Sequence, residues 1–333
     1  MKYGKITRDR KEQVTLRYYL NEDGVGHDGL RPAMLVLPGG AYRMCSEDEA
    51  EPIALAYLSE GYQAFVLNYT VGGEGGLEAV LDDANWAMET IAESAAAWGL
   101  DSDRRSVIGF SAGGHLAAML GTRGQRRPAA LVLGYPCIQD PHVPGLCPFD
   151  LPDVDSQVDD LTPPAFLFAA SDDPIVPVDA LPFAKALNDH GKLFEMHIFH
   201  RGGHGFSLGK AHTAHGNMGA ARPRVGSWFG LSVEWLNEVL DNFPLEEPSS
   251  TFNLPATFER YSVDIALREL WNNEACRELL AASVPELEQA ATGAMADTIL
   301  GISARMMATY MPEMLTEEKL NELDRKLAEI PVK

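Results

Sequence analysis

Six short apolar runs restrict what this chain can fold into: "AMLVLP" (33–38), "AFVLNY" (64–69), "SVIGF" (106–110), "ALVLGY" (130–135), "AFLFAA" (165–170) and "FEMHIF" (194–199). Each is nearly unbroken in apolar character, as expected of strands covered by helices on both sheet faces rather than of strands with one wet face. Longer stretches of helical periodicity separate them, and that alternation gives βαβ units and a parallel sheet. Helices are expected near 77–98, 112–120, 178–190 and 228–240, and a first crossover helix is marked by three signals. Ser46 with Glu49 reads as a capping box, Pro52 falls in the opening turns, and Gly61 follows the last apolar position as a stop. "QVTLRYYL" near the N-terminus alternates enough for an antiparallel edge strand. The expected fold class is α/β, a doubly wound and mostly parallel sheet.

After Phe243 the character changes at "PLEEPSS", and the remainder to Lys333 holds helical patterns without a convincing strand. Two domains are therefore expected, residues 1–245 and an all-helical module over 255–333. In the module, "VDIALRELWNNEACRELLAA" is amphipathic, with Ile265, Leu267, Leu270, Trp271, Leu279 and Leu280 available for a buried face. "MPEMLTEEKLNELDRKLAEI" adds a further helix from Thr316, a degenerate capping box with Lys319 where Glu or Gln is usual.

Between the third apolar run and its following helix stands "VIGFSAGGHLAAML" (107–120). Glycine in the interior of either element costs about 0.5–1 kcal/mol relative to alanine, so this cluster points to a demand on the backbone itself. A G-x-S-x-G sequence between a parallel strand and a helix is the nucleophile elbow, a tight turn that lifts a serine hydroxyl above the sheet. Ser111 is the candidate nucleophile. A serine hydroxyl needs a base and an orienting acid, and in this arrangement they follow in the order Ser, Asp/Glu, His. After "AFLFAA" comes "SDDPIVPV", where Asp173 opens a loop stiffened by Pro174 and Pro177, with Asp172 as a competitor. After "FEMHIF" comes "HRGGHGF", where His204 sits among glycines that let its ring reach back over the sheet. His200, His212 and His215 lie nearby, but nothing there forms H-E-x-x-H or a helical i, i+4 pair, so no metal site is expected. The glycine-rich "LPGGAY" (37–42) follows an early strand, where backbone N–H groups of Gly40 and Ala41, with that of Ala112, can point at one developing oxyanion.

These segments give the chain its resemblance. "LPGGAYRMCS", "EAEPIALAYLSEGYQAFVLNY", "GLDSDRRSVIGFSAGGHLAAML", "LGYPCI", "PPAFLFAASDDPIVPV" and "RGGHGFSL", in that order, resemble the α/β-hydrolases, in particular bacterial acetyl esterases of the acetylxylan/feruloyl-esterase-like group. The likeness spans roughly residues 30–240. It implies hydrolysis of carboxylic esters of short acyl groups, without a cofactor. One departure is Pro38, where related lipases and esterases carry histidine; this sets the chain apart from the hormone-sensitive-lipase type.

The formal net charge of −21 argues against nucleic acid, anionic membranes and strongly anionic substrates, leaving a neutral small-molecule ester, such as an acylated carbohydrate, as the expected partner. No apolar run nears the roughly 20 residues that span a bilayer, and the charged start lacks a signal-peptide core, so a cytoplasmic protein is expected. The four cysteines show neither metal-ligand spacing nor scaffold density and read as free thiols. Tyr42, Arg43 and Phe110 flank the candidate chemical groups and are candidates for the pocket wall, Tyr42 and Phe110 as a restriction on acyl length. His115 reads as a packed helix residue, "GGEGG" (72–76) as a loop at the site rim, and the stretch from 139 to 164 as either a cap or a surface excursion. Three readings stay open here: a serine esterase, a serine peptidase on the same scaffold, and a binding module with a vestigial site, with homo-oligomerisation left undecided.

Overall fold

A computed structural model describes residues 1–22, 29–139, 145–176, 178–213, 223–243, 260–285, 287 and 296–332. The chain divides into two compact units, Met1–Pro244 and Leu245–Lys333. The expected boundary near 245–255 and the residues Pro177 and His215 lie outside the described residues.

The first unit is built on one eight-stranded sheet in the order β1-β2-β4-β3-β5-β6-β7-β8. The strands are β1 (Lys2–Arg8), β2 (Lys11–Leu20), β3 (Arg31–Leu37), β4 (Gln63–Asn68), β5 (Leu100–Phe110), β6 (Ala130–Gly134), β7 (Ala165–Ala170) and β8 (Phe194–Phe199). From β4 through β8 every neighbour pair is parallel; β2 pairs antiparallel with both β4 and β1. All six apolar runs are strands; β3 to β7 are buried along most of their length because helices cover both faces, whereas β8, at the sheet edge, is mostly exposed or half-buried. Residues of α1 (Glu51–Ser59) and α5 (Trp228–Leu240) fill the core on one face; those of α2 (Gly76–Glu93), α3 (Ala112–Arg123) and α4 (Ala180–Asp189) fill it on the other.

Two expectations need correction. The strand over "QVTLRYYL" is not the sheet edge: β1 lies outside it, paired from Lys2↔Leu20 to Thr7↔Thr15. β1 carries no apolar run, and its position is fixed partly by charge, since its Arg8 bonds the buried Asp83 carboxylate on α2, as does Lys11 at the start of β2; the other Asp83 oxygen accepts from the Thr70 N–H at 2.8 Å. Nor is there a capping box at Ser46. Its side chain makes no cap bond, a 3-10 turn covers Glu47–Glu49, and α1 begins at Glu51 with Pro52 in its first turn. Glu49 points inward instead.

Among the described residues of the second unit, structure is helical apart from one isolated bridge, Ala266↔Ser303. Its core gathers Leu267, Leu270, Leu280, Leu320, Leu323 and Leu327. The first amphipathic stretch is two helices, Leu267–Asn272 and Glu274–Ser283, because Asn273 leaves the helix and accepts from the Cys276 N–H as N-cap of the second. Thr316 caps the helix Glu317–Ala328 by accepting from the Lys319 N–H.

Candidate active site

The site stands at the carboxyl ends of β3, β5, β6, β7 and β8, where open α/β sheets hold their ligands. β5 delivers Ser111 directly. That residue has φ 52° and ψ −118°, a conformation costly for any residue with a Cβ and sustained only where the surroundings over-determine it. Here they do: the Ser111 N–H donates to Gly134 O at 3.0 Å, and its carbonyl accepts from His115 N–H and Cys137 N–H. The glycines exist for proximity. A Cβ on Gly109 would stand 2.1 Å from the Gly113 carbonyl oxygen, and one on Gly113 would stand 2.1 Å from that of Leu37. The turn thus folds back on its own strand and abuts the end of β3, where the "PGGAY" segment begins.

Asp173 follows β7 and His204 follows β8. The Asp173 side chain is fully buried: Oδ1 accepts from the N–H groups of Ile175 at 2.8 Å and Val176 at 3.1 Å, while Oδ2 lies 2.7 Å from His204 Nδ1. His204 Nε2 lies 2.8 Å from Ser111 Oγ. Gly203 and Gly205, at φ +65° and +71°, let the chain swing the ring inward between them. Asp172, the competing acid, accepts from the N–H groups of Gly202 and Gly203 at 2.7 and 2.8 Å, holding the loop that carries His204. Of the other histidines, His200 lies in the turn after β8 and His212 in a 3-10 turn over Ala211–Thr213. Among the described residues no three His, Cys, Asp or Glu side chains are grouped to hold a metal ion.

Gly40 and Ala41 form a left-handed stretch with Tyr42, at φ +121°, +54° and +56°. Turn bonds from the N–H groups of Arg43 and Met44 to Gly40 O, and from that of Ser46 to Gly39 O, fix this stretch beside the serine turn. Among the described residues no acceptor takes the N–H of Gly40 or Ala41. Ala112 is the first residue of α3, where N–H groups have no partner within the helix.

The pocket-wall expectations fare differently. Phe110 has no exposed surface, and its ring packs on Tyr135, Phe168 and Trp228 in the core on the α1/α5 face. Tyr42 is also fully buried, its hydroxyl 2.9 Å from His115 Nδ1. Neither side chain can therefore limit acyl length as a pocket wall. Arg43 is exposed and donates to the carbonyls of Leu146 and Gly145, both at 2.9 Å, tying the loop after β3 to the 145–149 segment. Part of the 139–164 stretch, residues 140–144, lies outside the described residues. His115 is a buried helix residue between Tyr42 and the Pro152 carbonyl, and burial pushes its imidazole down to about 4. The "GGEGG" loop supports the same region from behind, with the Gly72 N–H on Tyr42 O at 2.8 Å.

Sequence reasoning missed Glu49. Its carboxylate is buried and bridges two loops: Oε2 accepts from the Gly39 N–H at 2.8 Å and Oε1 from the Tyr135 hydroxyl at 2.6 Å. Tyr135 in turn accepts from the Ser207 N–H at 3.0 Å and lays its ring 5.1 Å from that of His204, centre to centre. Burial pushes the Glu49 carboxyl above its ordinary range, against the lowering influence of these two hydrogen bonds and of His204. An acid just ahead of a helix looks locally like a cap, and only the fold reveals its partners.

Comparison with known proteins agrees with this architecture. The BD-FAE family model matches residues 19–137. The α/β hydrolase enzyme MGS-M1 from a Medee basin deep-sea metagenome library is 40% identical, with 72% of this chain and 98% of that one covered at a TM-score of 0.68. The chain belongs to the α/β-hydrolase family. Curated relatives of this α/β-hydrolase include endo-1,4-beta-xylanase B of Butyrivibrio fibrisolvens, 30% identical over 223 residues, and the acetylxylan esterase of Xylanibacter ruminicola, 28% identical over 222. Those matches cover 57% and 59% of this chain, which spans only 34% and 45% of the respective relatives.

Proposed function

We propose that this α/β-hydrolase is a serine carboxylic-ester hydrolase that releases short, acetyl-like acyl groups from a neutral alcohol or carbohydrate. The observation that carries the reading is the unbroken relay from Asp173 through His204 to Ser111, with contacts of 2.7 and 2.8 Å. In this reading His204 takes the proton from Ser111 Oγ as that oxygen attacks the ester carbonyl. The N–H groups of Gly40, Ala41 and Ala112 receive the oxyanion, and each such donor is worth about 2.7–4 kcal/mol of transition-state stabilisation. Collapse returns the proton from His204 to the departing alcohol and leaves an acyl-Ser111. Water, deprotonated by the same imidazole, then releases the carboxylic acid and restores the serine. Asp173 keeps the Nδ1–H tautomer and stabilises the imidazolium. No step calls for a cofactor.

The acetyl preference and the carbohydrate alcohol are supported by the acetylxylan esterase relative and by the net charge of −21, which disfavours anionic substrates. Initial rates on 4-nitrophenyl acetate and octanoate, acetylated xylan and an aminoacyl 4-nitroanilide test it. Turnover of the acetate and of acetylated xylan, with octanoate much slower and no anilide cleavage, is expected. Anilide cleavage in preference to the esters contradicts the reading in favour of a peptidase.

A further inference from the structure

The Glu49 carboxylate sits where only an acceptor is wanted. Both of its oxygens receive donors, the Gly39 N–H and the Tyr135 O–H. An ionised carboxylate satisfies both donors at once, whereas an amide would turn its NH2 group towards one of them. A carboxylate buried to 5% exposure is costly to keep charged, so its retention calls for a role.

The positions it joins supply that role. Gly39 leads into Gly40 and Ala41, and a Cβ on Gly39 would stand 3.0 Å from Ser111 Cβ. Tyr135, directly after β6, supports the His204 ring and accepts from Ser207, whose hydroxyl bonds the Asp48 carbonyl at 2.5 Å and whose own carbonyl accepts from the buried Trp228 indole at 2.8 Å. Five non-glycine residues of this small region, Ala41, Tyr42, Ser111, Tyr135 and Ser207, have φ between 33° and 56°. Strained backbone of this kind persists only where fixed partners hold it. Building on the assignment of Ser111 and His204 made above, we infer that Glu49 is a positioning residue for the reaction: through Gly39 it sets the N–H groups of the loop after β3, and through Tyr135 and Ser207 it sets the loop that carries His204.

The test compares Glu49→Gln, Tyr135→Phe and the double variant in the full chain. The measurements are kcat and KM on 4-nitrophenyl acetate per active site titrated with a phosphonate, with melting temperature alongside. A misplacement of about 1 Å at a reacting group can cost on the order of 10²-fold. Glu49→Gln is therefore expected to lower kcat by about 10- to 100-fold with KM within about twofold. Tyr135→Phe, which keeps the Gly39 bond, is expected to lower kcat less, and the double variant no more than Glu49→Gln alone, because both changes break one network. A lowered melting temperature with kcat per titrated site unchanged overturns the inference, as does simple multiplication of the two kcat losses. If Glu49→Gln does not fold, Tyr135→Phe decides: wild-type kcat overturns the inference, and a reduced kcat at unchanged KM supports it. A wild-type chain without esterase turnover overturns the functional reading and this inference together, whereas an active wild type with unaffected variants overturns this one alone.

Discussion

Replacing Asp173 with Asn separates chemistry from folding, because the two carboxylate oxygens have different duties. Oδ1 accepts two backbone N–H groups, from Ile175 and Val176, and Oδ2 faces His204 Nδ1. In the Asn variant the amide oxygen must stay on the two N–H donors, since an NH2 group there would confront them. The amide NH2 is then forced towards His204 Nδ1. The imidazole answers by placing its proton on Nε2, where it points at Ser111 Oγ and cannot accept the serine proton. The fold keeps both backbone bonds, so the melting temperature should shift by no more than a few degrees. The chemistry loses its base. A wrong-tautomer histidine in a serine triad lowers kcat by about 10⁴, equivalent to roughly 5 kcal/mol of transition-state stabilisation. Asp173→Ala, by contrast, strips both N–H groups of their acceptor at about 1–3 kcal/mol each and should melt visibly lower. The assay is kcat on 4-nitrophenyl acetate at neutral pH with melting followed by circular dichroism. A folded Asp173→Asn chain within tenfold of wild type refutes the tautomer argument, and a larger loss in Asp172→Asn than in Asp173→Asn reassigns the acid.

Three further outcomes are expected. Gly109→Ala drives a Cβ to 2.1 Å from the Gly113 carbonyl oxygen, so it should destabilise by at least the 1–3 kcal/mol typical of overpacking; an unchanged melting temperature contradicts the elbow packing. His115 is held neutral with its folded value near 4, below the ordinary 6.5, so the unfolded chain binds the extra proton between those values and stability falls as pH drops through that window. The fall is worth roughly 3 kcal/mol, and denaturant midpoints at pH 4.5 and 7 should differ less in His115→Gln than in wild type; equal differences remove His115 as the cause. Leu327→Ala opens the core of the second unit and should cost about 2–5 kcal/mol there while kcat/KM on 4-nitrophenyl acetate stays unchanged; a parallel loss of kcat/KM gives that unit a part in the reaction.

The sequence makes the parallel strands and the elbow legible because both are local: an unbroken apolar run, and glycines at fixed offsets from Ser111. The same locality explains the misses. β1 reads "KYGKITR", with most residues exposed or half-exposed, and is held by pairing and by Asp83 on a distant helix, so no hydrophobic period announces it. Phe110 adjoins Ser111 in sequence, yet it is the last residue of β5 and its ring goes to the core, while Ser111 stands in the turn beyond the strand. Asn273 stands inside one continuous amphipathic-looking stretch, and only its side-chain cap shows the break. Glu49 satisfied the pattern of a capping box while its real partners lay 10 and 86 residues away. Contacts of that separation are set by the assembled sheet.

Whether Ser111 is the nucleophile of an ester hydrolase is decided by the turnover of 4-nitrophenyl acetate in Ser111→Ala. Loss of the serine Oγ should leave a folded protein whose kcat is lower by about 10⁶-fold, with no acetyl group trapped on the chain after acid quench, whereas wild type holds one on Ser111. A folded Ser111→Ala protein that retains wild-type turnover, or a wild-type acetyl group found on another residue, contradicts the claim.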